Sequence, residues 1–216
     1  MDSLSFFYKA LAALFTIIDP IGLVPVVLGI TAGMGQRARA LTVTRAVIIA
    51  AIVIAIFGAF GRVIFAALGV SSPAFNIAGG VLLFLIAIDM LFGRPSGARE
   101  TAREADEAAH ADDVSVFPLA IPMIAGPGTI TAIILLVNTA SGDPIKLGAV
   151  AIAGVLTLLV AWLTMLGSGL IQQRIGTTGI LVLSRVLGML LAAVAAQFIL
   201  NGLTAFMQGG AAPLSQ

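Results

Sequence analysis

Two short stretches of this 216-residue chain carry residue types that can do chemistry: Asp19-Pro20-Ile21-Gly22 and Ala125-Gly126-Pro127-Gly128, the latter followed by Thr129. Each interrupts an apolar run, the first inside "IDPIGLVP" (18–25) and the second inside "IAGPGTIT" (124–131). Proline removes a backbone donor and clashes with the preceding turn, and glycine loosens the chain, so each stretch is expected to end one half-helix and begin another. A helix that stops and restarts leaves carbonyls at its old end and amides at its new start, with partial charges to match. Amides starting near Gly22 and Gly128 suit a carboxylate, and carbonyls near Ile18 and Ala125 suit an ammonium. A zwitterion carries both groups, and the glycines favour a small one. Asp19 adds a carboxylate that could hold the ammonium or carry a proton. As a cap on freed backbone amides it would be purely structural.

The elements that position these stretches must lie in a bilayer. The chain is 60% hydrophobic and 10% charged, with a mean hydropathy of +1.14, against about 45–50% apolar and about 25% charged in soluble domains. A net charge of +1 gives no footprint for nucleic acid. With no cysteine and one histidine, His110 in the most polar segment, neither a metal site nor a cofactor site is expected. No serine, histidine and acid set falls within the apolar segments, so an enzyme is not expected. The start of the chain is acidic, and the apolar run after Lys9 is too short for a cleavable signal, so it is read as the first span.

About 20 mostly apolar residues are needed to cross the hydrocarbon. Six segments meet that need: 4–31, 41–68, 73–92, 114–140, 146–171 and 179–206. Residues 93–113 form a charged linker, expected to be a short solvated helix, between a first three-helix unit (1–92) and a second (114–216). Placing both termini outside puts Arg37, Arg39, Arg45, Arg94, Arg99, Arg103 and Arg174 on the cytoplasmic side, against Lys9, Arg62 and Lys146 outside, which favours that orientation. Counted from Tyr8, Asp19 lies about 16 Å along a helix, near mid-membrane.

The two halves echo each other. Pro20 aligns with Pro127 at an offset of 107, and Gly80 with Gly188 at 108. An odd number of spans per copy turns the second copy upside down, the inverted-repeat plan of many secondary transporters. Paired breaks in such a repeat point to a substrate site between helices 1 and 4, broken at mid-membrane. Further candidates for supporting or coupling roles are Asp89 near the end of the third span, Arg185 in the sixth, and Asn76 and Ser184 at matching repeat positions. Gly188, Ala192 and Ala196 recur every fourth residue, a small-residue packing face.

"IDPIGLVP", "FNIAGGVLLFLIAIDMLFG" and above all "VFPLAIPMIAGPGTIT" resemble the MarC family of bacterial and archaeal inner-membrane proteins, over nearly the whole chain. The resemblance implies an all-helical polytopic protein of six spans in two inverted three-helix repeats. It also implies transport of small neutral amino acids such as glycine and alanine, coupled to protons, across the inner membrane. By motif position the binding segments carry over to Asp19, Pro20, Ile21 and Gly22 and to Gly126, Pro127, Gly128 and Thr129. This chain departs from the pattern at Leu23, where the family often has asparagine, and at Asn76, where it often has arginine. An exporter of other small solutes or drugs on the same fold is the alternative, although aromatics make up only 6% of the chain.

Overall fold

Apolar runs of this length leave the backbone no water to bond, so the chain satisfies its own amides and carbonyls in helices. The computed structural model describes residues 3–31, 33–67, 69–92, 114–140 and 142–208. Every element among them is helical: α1 (Ser3–Ile18), α2 (Leu23–Ile30), α3 (Gln36–Ala67), α4 (Ser72–Phe92), α5 (Ser115–Ile124, wound more widely than an α-helix), α6 (Pro127–Thr139), α7 (Pro144–Leu166) and α8 (Ser168–Met207). Five stretches are long and apolar enough to cross a membrane, the first being α1 with α2 as one run, Ser3–Ile30. α5 and α6 together make a sixth, bent by 50° at the break between them. The linker 93–113, with His110 and its expected solvated helix, lies outside the described residues.

Side-chain periodicity sorts lipid from core. Along α3, Ile48, Ile52, Ile56 and Phe60 form an exposed stripe while Val43, Ala46, Ala50 and Ile54 are buried. In α7 the buried stripe is Ala149, Ala153, Thr157, Ala161 and Met165, mostly small residues that let neighbouring backbones approach. α1 packs on α7 as α5 packs on α3, and α4 packs on α6 as α8 packs on α2. Exchanging the two halves therefore turns each of these contacts into the other.

The α4–α8 contact is the most extensive. A Cβ built on Gly80 would lie 2.9 Å from the Ala195 carbonyl oxygen and 3.0 Å from the Ile199 amide, and one on Gly188 would lie 3.2 Å from the Ala87 oxygen and 3.3 Å from the Leu91 amide. Early residues of each helix meet late residues of the other, so the two run antiparallel.

Three span boundaries differ from the sequence reading. Segment 114–140 is not one half-helix ended by a single break, because α5 is irregular at Phe117 (φ −129°, ψ 127°) and Ile121 (φ −129°, ψ 124°). Each of these residues precedes a proline, Pro118 or Pro122, whose ring disfavours helical dihedrals one residue earlier. Both X–Pro bonds are cis. The fifth span ends at Leu166 rather than near 171. α8 starts at Ser168, and its first turns are set off by Gly176 in the left-handed region (φ 71°), which a glycine tolerates without a Cβ clash.

Candidate functional site

The first break is held together by its own side chain. α1 stops at Ile18, and Asp19 adopts φ +48°, a left-handed conformation that aspartate tolerates better than most non-glycine residues. Asp19 is 2% exposed. Its Oδ1 accepts from the Gly22 amide at 3.0 Å, and its backbone carbonyl accepts from Leu23 at 3.1 Å, while Ile21 accepts from Val24 at 3.1 Å. The freed amides that open α2 are thus taken by the chain itself, which is the capping geometry. Across the gap the Thr164 hydroxyl of α7 donates to the Pro20 carbonyl at 3.0 Å. A Cβ on Gly22 would overlap the Asp19 carboxylate, so glycine here makes room for the cap.

The second break is built differently. Gly126 is extended (φ −79°, ψ 173°), gives no side-chain cap, and Pro127 takes the first helical position of α6, where its missing donor is harmless. Ile130 donates to the Gly126 carbonyl at 3.0 Å. Among the described residues no acceptor meets the amides of Gly128 and Thr129. Gly126, Gly128 and Thr129 are buried, whereas Pro127 is exposed. α7 also begins with proline, but there Asp143 caps the helix, accepting from Ile145 at 2.9 Å and from Lys146 at 3.4 Å. The Ile145 amide bond holds the Asp143 carboxyl below its ordinary value. Of these three helix starts, α6 is the one left with open donors, and a helix start with open donors carries partial positive charge.

A narrow cavity of about 10 Å³ lies against it, lined by Ile17, Ile86, Pro122, Met123 and Gly126 to Thr129. That is room for about one water. A Cβ on Gly128 would come 2.6 Å from Ile86 Cδ1 and 3.4 Å from Ile17 Cγ2, so the end of α1 and the middle of α4 close on the start of α6. A Cβ on Gly126 would overlap the Pro122 backbone carbonyl.

The structure therefore gathers Gly126, Pro127, Gly128 and Thr129 around one cavity and brings α1 to it through Ile17. Asp19, Pro20, Ile21 and Gly22 follow immediately in sequence but do not line it; α2 packs on α7 and α8 instead. Asp89 is half-buried, three residues beyond the cavity residue Ile86. Ser184 and Arg185 lie one turn before Gly188, toward the far end of α4, and Arg185 is exposed. Asn76 sits at the other end of that helix pair, its Cβ against Gly202, with a buried Oδ1 that finds no hydrogen-bond partner. These last three are away from the cavity. Ile17, Ile86, Pro122 and Met123 were missed. Pro122 had a signal in the four-residue spacing from Pro118, while the three apolar side chains have nothing local to mark them.

The profile of the "MarC family integral membrane protein" matches residues 4–207. The chain belongs to the MarC family. It is 38% identical over 202 residues to a UPF0056 membrane protein of Methanocaldococcus jannaschii, covering 93% of this chain and 97% of that one. A UPF0056 membrane protein of Aquifex aeolicus is 32% identical over 200 residues, covering 91% and 92%. The UPF0056 membrane protein YhcE of Escherichia coli is 30% identical over 203 residues, covering 94% of each. No solved structure matches. The chain is thus a multi-pass integral membrane protein of a family found in archaea and bacteria.

Proposed function

We propose that this MarC-family chain is a secondary transporter of small neutral amino acids, glycine and alanine above all, across the cytoplasmic membrane, with protons as the coupling ion and both termini outside. The observation that carries the reading is the uncapped, buried start of α6 beside its narrow cavity. Amides without acceptors inside a membrane protein are costly, and a substrate carboxylate satisfies them. The glycines at 126 and 128 leave the backbone bare enough for close approach. Asp19, two residues beyond Ile17, is the group that can answer an ammonium or take up a proton.

The cavity is too small for glycine as it stands, so binding requires Ile17, Ile86 and Met123 to withdraw. That suits a site reached by alternating movement of two inverted halves, and the exchange-related helix contacts and the antiparallel α4–α8 pair support such a plan.

Uptake into liposomes tests the reading. Labelled glycine or alanine should enter in preference to leucine or lysine, and Asp19→Asn should keep exchange of labelled for unlabelled glycine while losing accumulation driven by a pH gradient. Transport of lysine or a cationic drug with glycine ignored would sink the amino-acid assignment. Normal pH-driven accumulation in Asp19→Asn would move coupling elsewhere, with Asp89 next.

A further inference from the structure

A second, much larger hollow lies on the face where α1 starts and α8 ends. It is a groove of about 590 Å³ between α1, α6 and α8. We propose that it holds one anionic phospholipid from the adjoining leaflet, with the phosphate at Lys9 and an acyl chain along the small-residue trough below.

The groove is ordered by depth. Lys9 lies in the second turn of α1, Thr139 ends α6, and Asn201 lies six residues before the end of α8, so this rim sits at the interfacial level. One turn deeper come Gln197 on α8 and the exposed Ala12 of α1, and another turn deeper the exposed Ala193. Alanine at both positions leaves a trough where larger side chains would close the surface, and Phe198 supplies apolar wall.

The face of α8 that carries Gln197 and Asn201 is otherwise lipid-facing, with Leu190 54% exposed and the neighbouring Leu200 58% exposed. Polar groups on such a face are expensive unless partnered. Gln197 Nε2 donates to Asn201 Oδ1 at 2.8 Å, which leaves the Asn201 amide donors to serve the ester and phosphate oxygens and the Gln197 carbonyl oxygen to accept from a headgroup hydroxyl. Lys9 is the basic residue on the groove, and basic residues at a membrane surface draw anionic lipids. The volume suits a drug-sized amphipath. It is far larger than the cavity at α6, and its lining is too apolar for a free zwitterion.

Native mass spectrometry and thermal unfolding of the purified full-length chain, titrated with phosphatidylglycerol or phosphatidylcholine, test the proposal. The wild type should retain one phosphatidylglycerol about five-fold more strongly than phosphatidylcholine, the effect of one basic side chain near an anionic lipid. Lys9→Gln should erase the preference and Lys9→Arg restore it, while Ala193→Trp, which fills the trough, should weaken retention of both lipids. No headgroup preference in the wild type, or an unchanged one in Lys9→Gln, would overturn the proposal. So would glycerol 3-phosphate competing as well as the whole lipid, or a stable dimer that Ala193→Trp dissociates, which would assign the groove to a second copy of the chain.

Discussion

The breaks at Asp19–Gly22 and Ala125–Gly128 occupy matching positions in the two halves, yet they are finished in opposite ways. The first is stapled: a carboxylate caps Gly22, a carbonyl takes Leu23, and Thr164 reaches over to Pro20. It lets α1 and α2 run on as one span, whereas the second bends by 50° and leaves its first amides open beside a cavity. The difference teaches that a helix break is not itself a binding site. The same backbone event yields a closed joint where a side chain supplies the missing partner and an open donor set where none does. In the transport reading the two are complementary, with donors for an anion from one half and a carboxylate from the other.

The sharpest contrast concerns the two break glycines. Gly126→Ala would drive a methyl into the Pro122 backbone carbonyl, which has no rotamer to yield, and should cost about 3 kcal/mol or more. Thermal unfolding in detergent checks this; a stable Gly126→Ala would mean that the second break is as adaptable as the first. Gly22→Ala first meets the Asp19 carboxylate, which can swing away at the loss of its cap, about 1–2 kcal/mol. That loss should largely vanish when Gly22→Ala is made on an Asp19→Ala background, because the clash and the cap share one side chain.

Gly128→Val should remove glycine binding, but it should also destabilise, since its side chain enters space held by Ile86 and Ile17. Adding Ile86→Ala should recover roughly 1 kcal/mol of that stability without recovering binding. Recovery of both would mean that the start of α6 only packs. A smaller effect is expected from Thr164→Val, under about 1 kcal/mol, because this hydroxyl also reaches the Val160 and Ala161 carbonyls of its own helix. Smallest is the contrast with the capped start of α7. Asp143 has a lowered carboxyl pKa, so its contribution is present above the ordinary value and lost as pH falls through the folded one. The stability gap between wild type and Asp143→Ala should therefore be constant near neutral pH and close on acidification below about pH 4.

Much of this was legible in the residues. Proline and glycine at 20, 22, 126, 127 and 128 announced both breaks, because their effect on the backbone is local. Gly80 and Gly188, singled out as matching glycines, both lie at the close approach of α4 and α8. One feature was misjudged despite a local signal. The sequence reading gave α5 one break, although Phe117 and Ile121, each standing before a proline, are extended as their neighbours require. Asn76 and Ser184, singled out by repeat position, and Arg185, singled out as a cation in the sixth span, stand apart from the cavity, because position along a helix does not say which way a residue faces. Asn76 and the Ser184–Arg185 pair fall at opposite ends of the α4–α8 contact.

By itself the sequence determined that the chain lives in a bilayer and where its apolar runs are interrupted, because hydropathy, proline and glycine act through the residue and its immediate neighbours. Only the tertiary structure decided what each stop becomes. Whether an amide is capped or open, and whether a glycine faces a carboxylate, a carbonyl or an isoleucine from another helix, depends on groups as far apart in the chain as Pro20 and Thr164 or Gly128 and Ile86. Those meetings are fixed by packing, in which every side chain along the contact takes part at once.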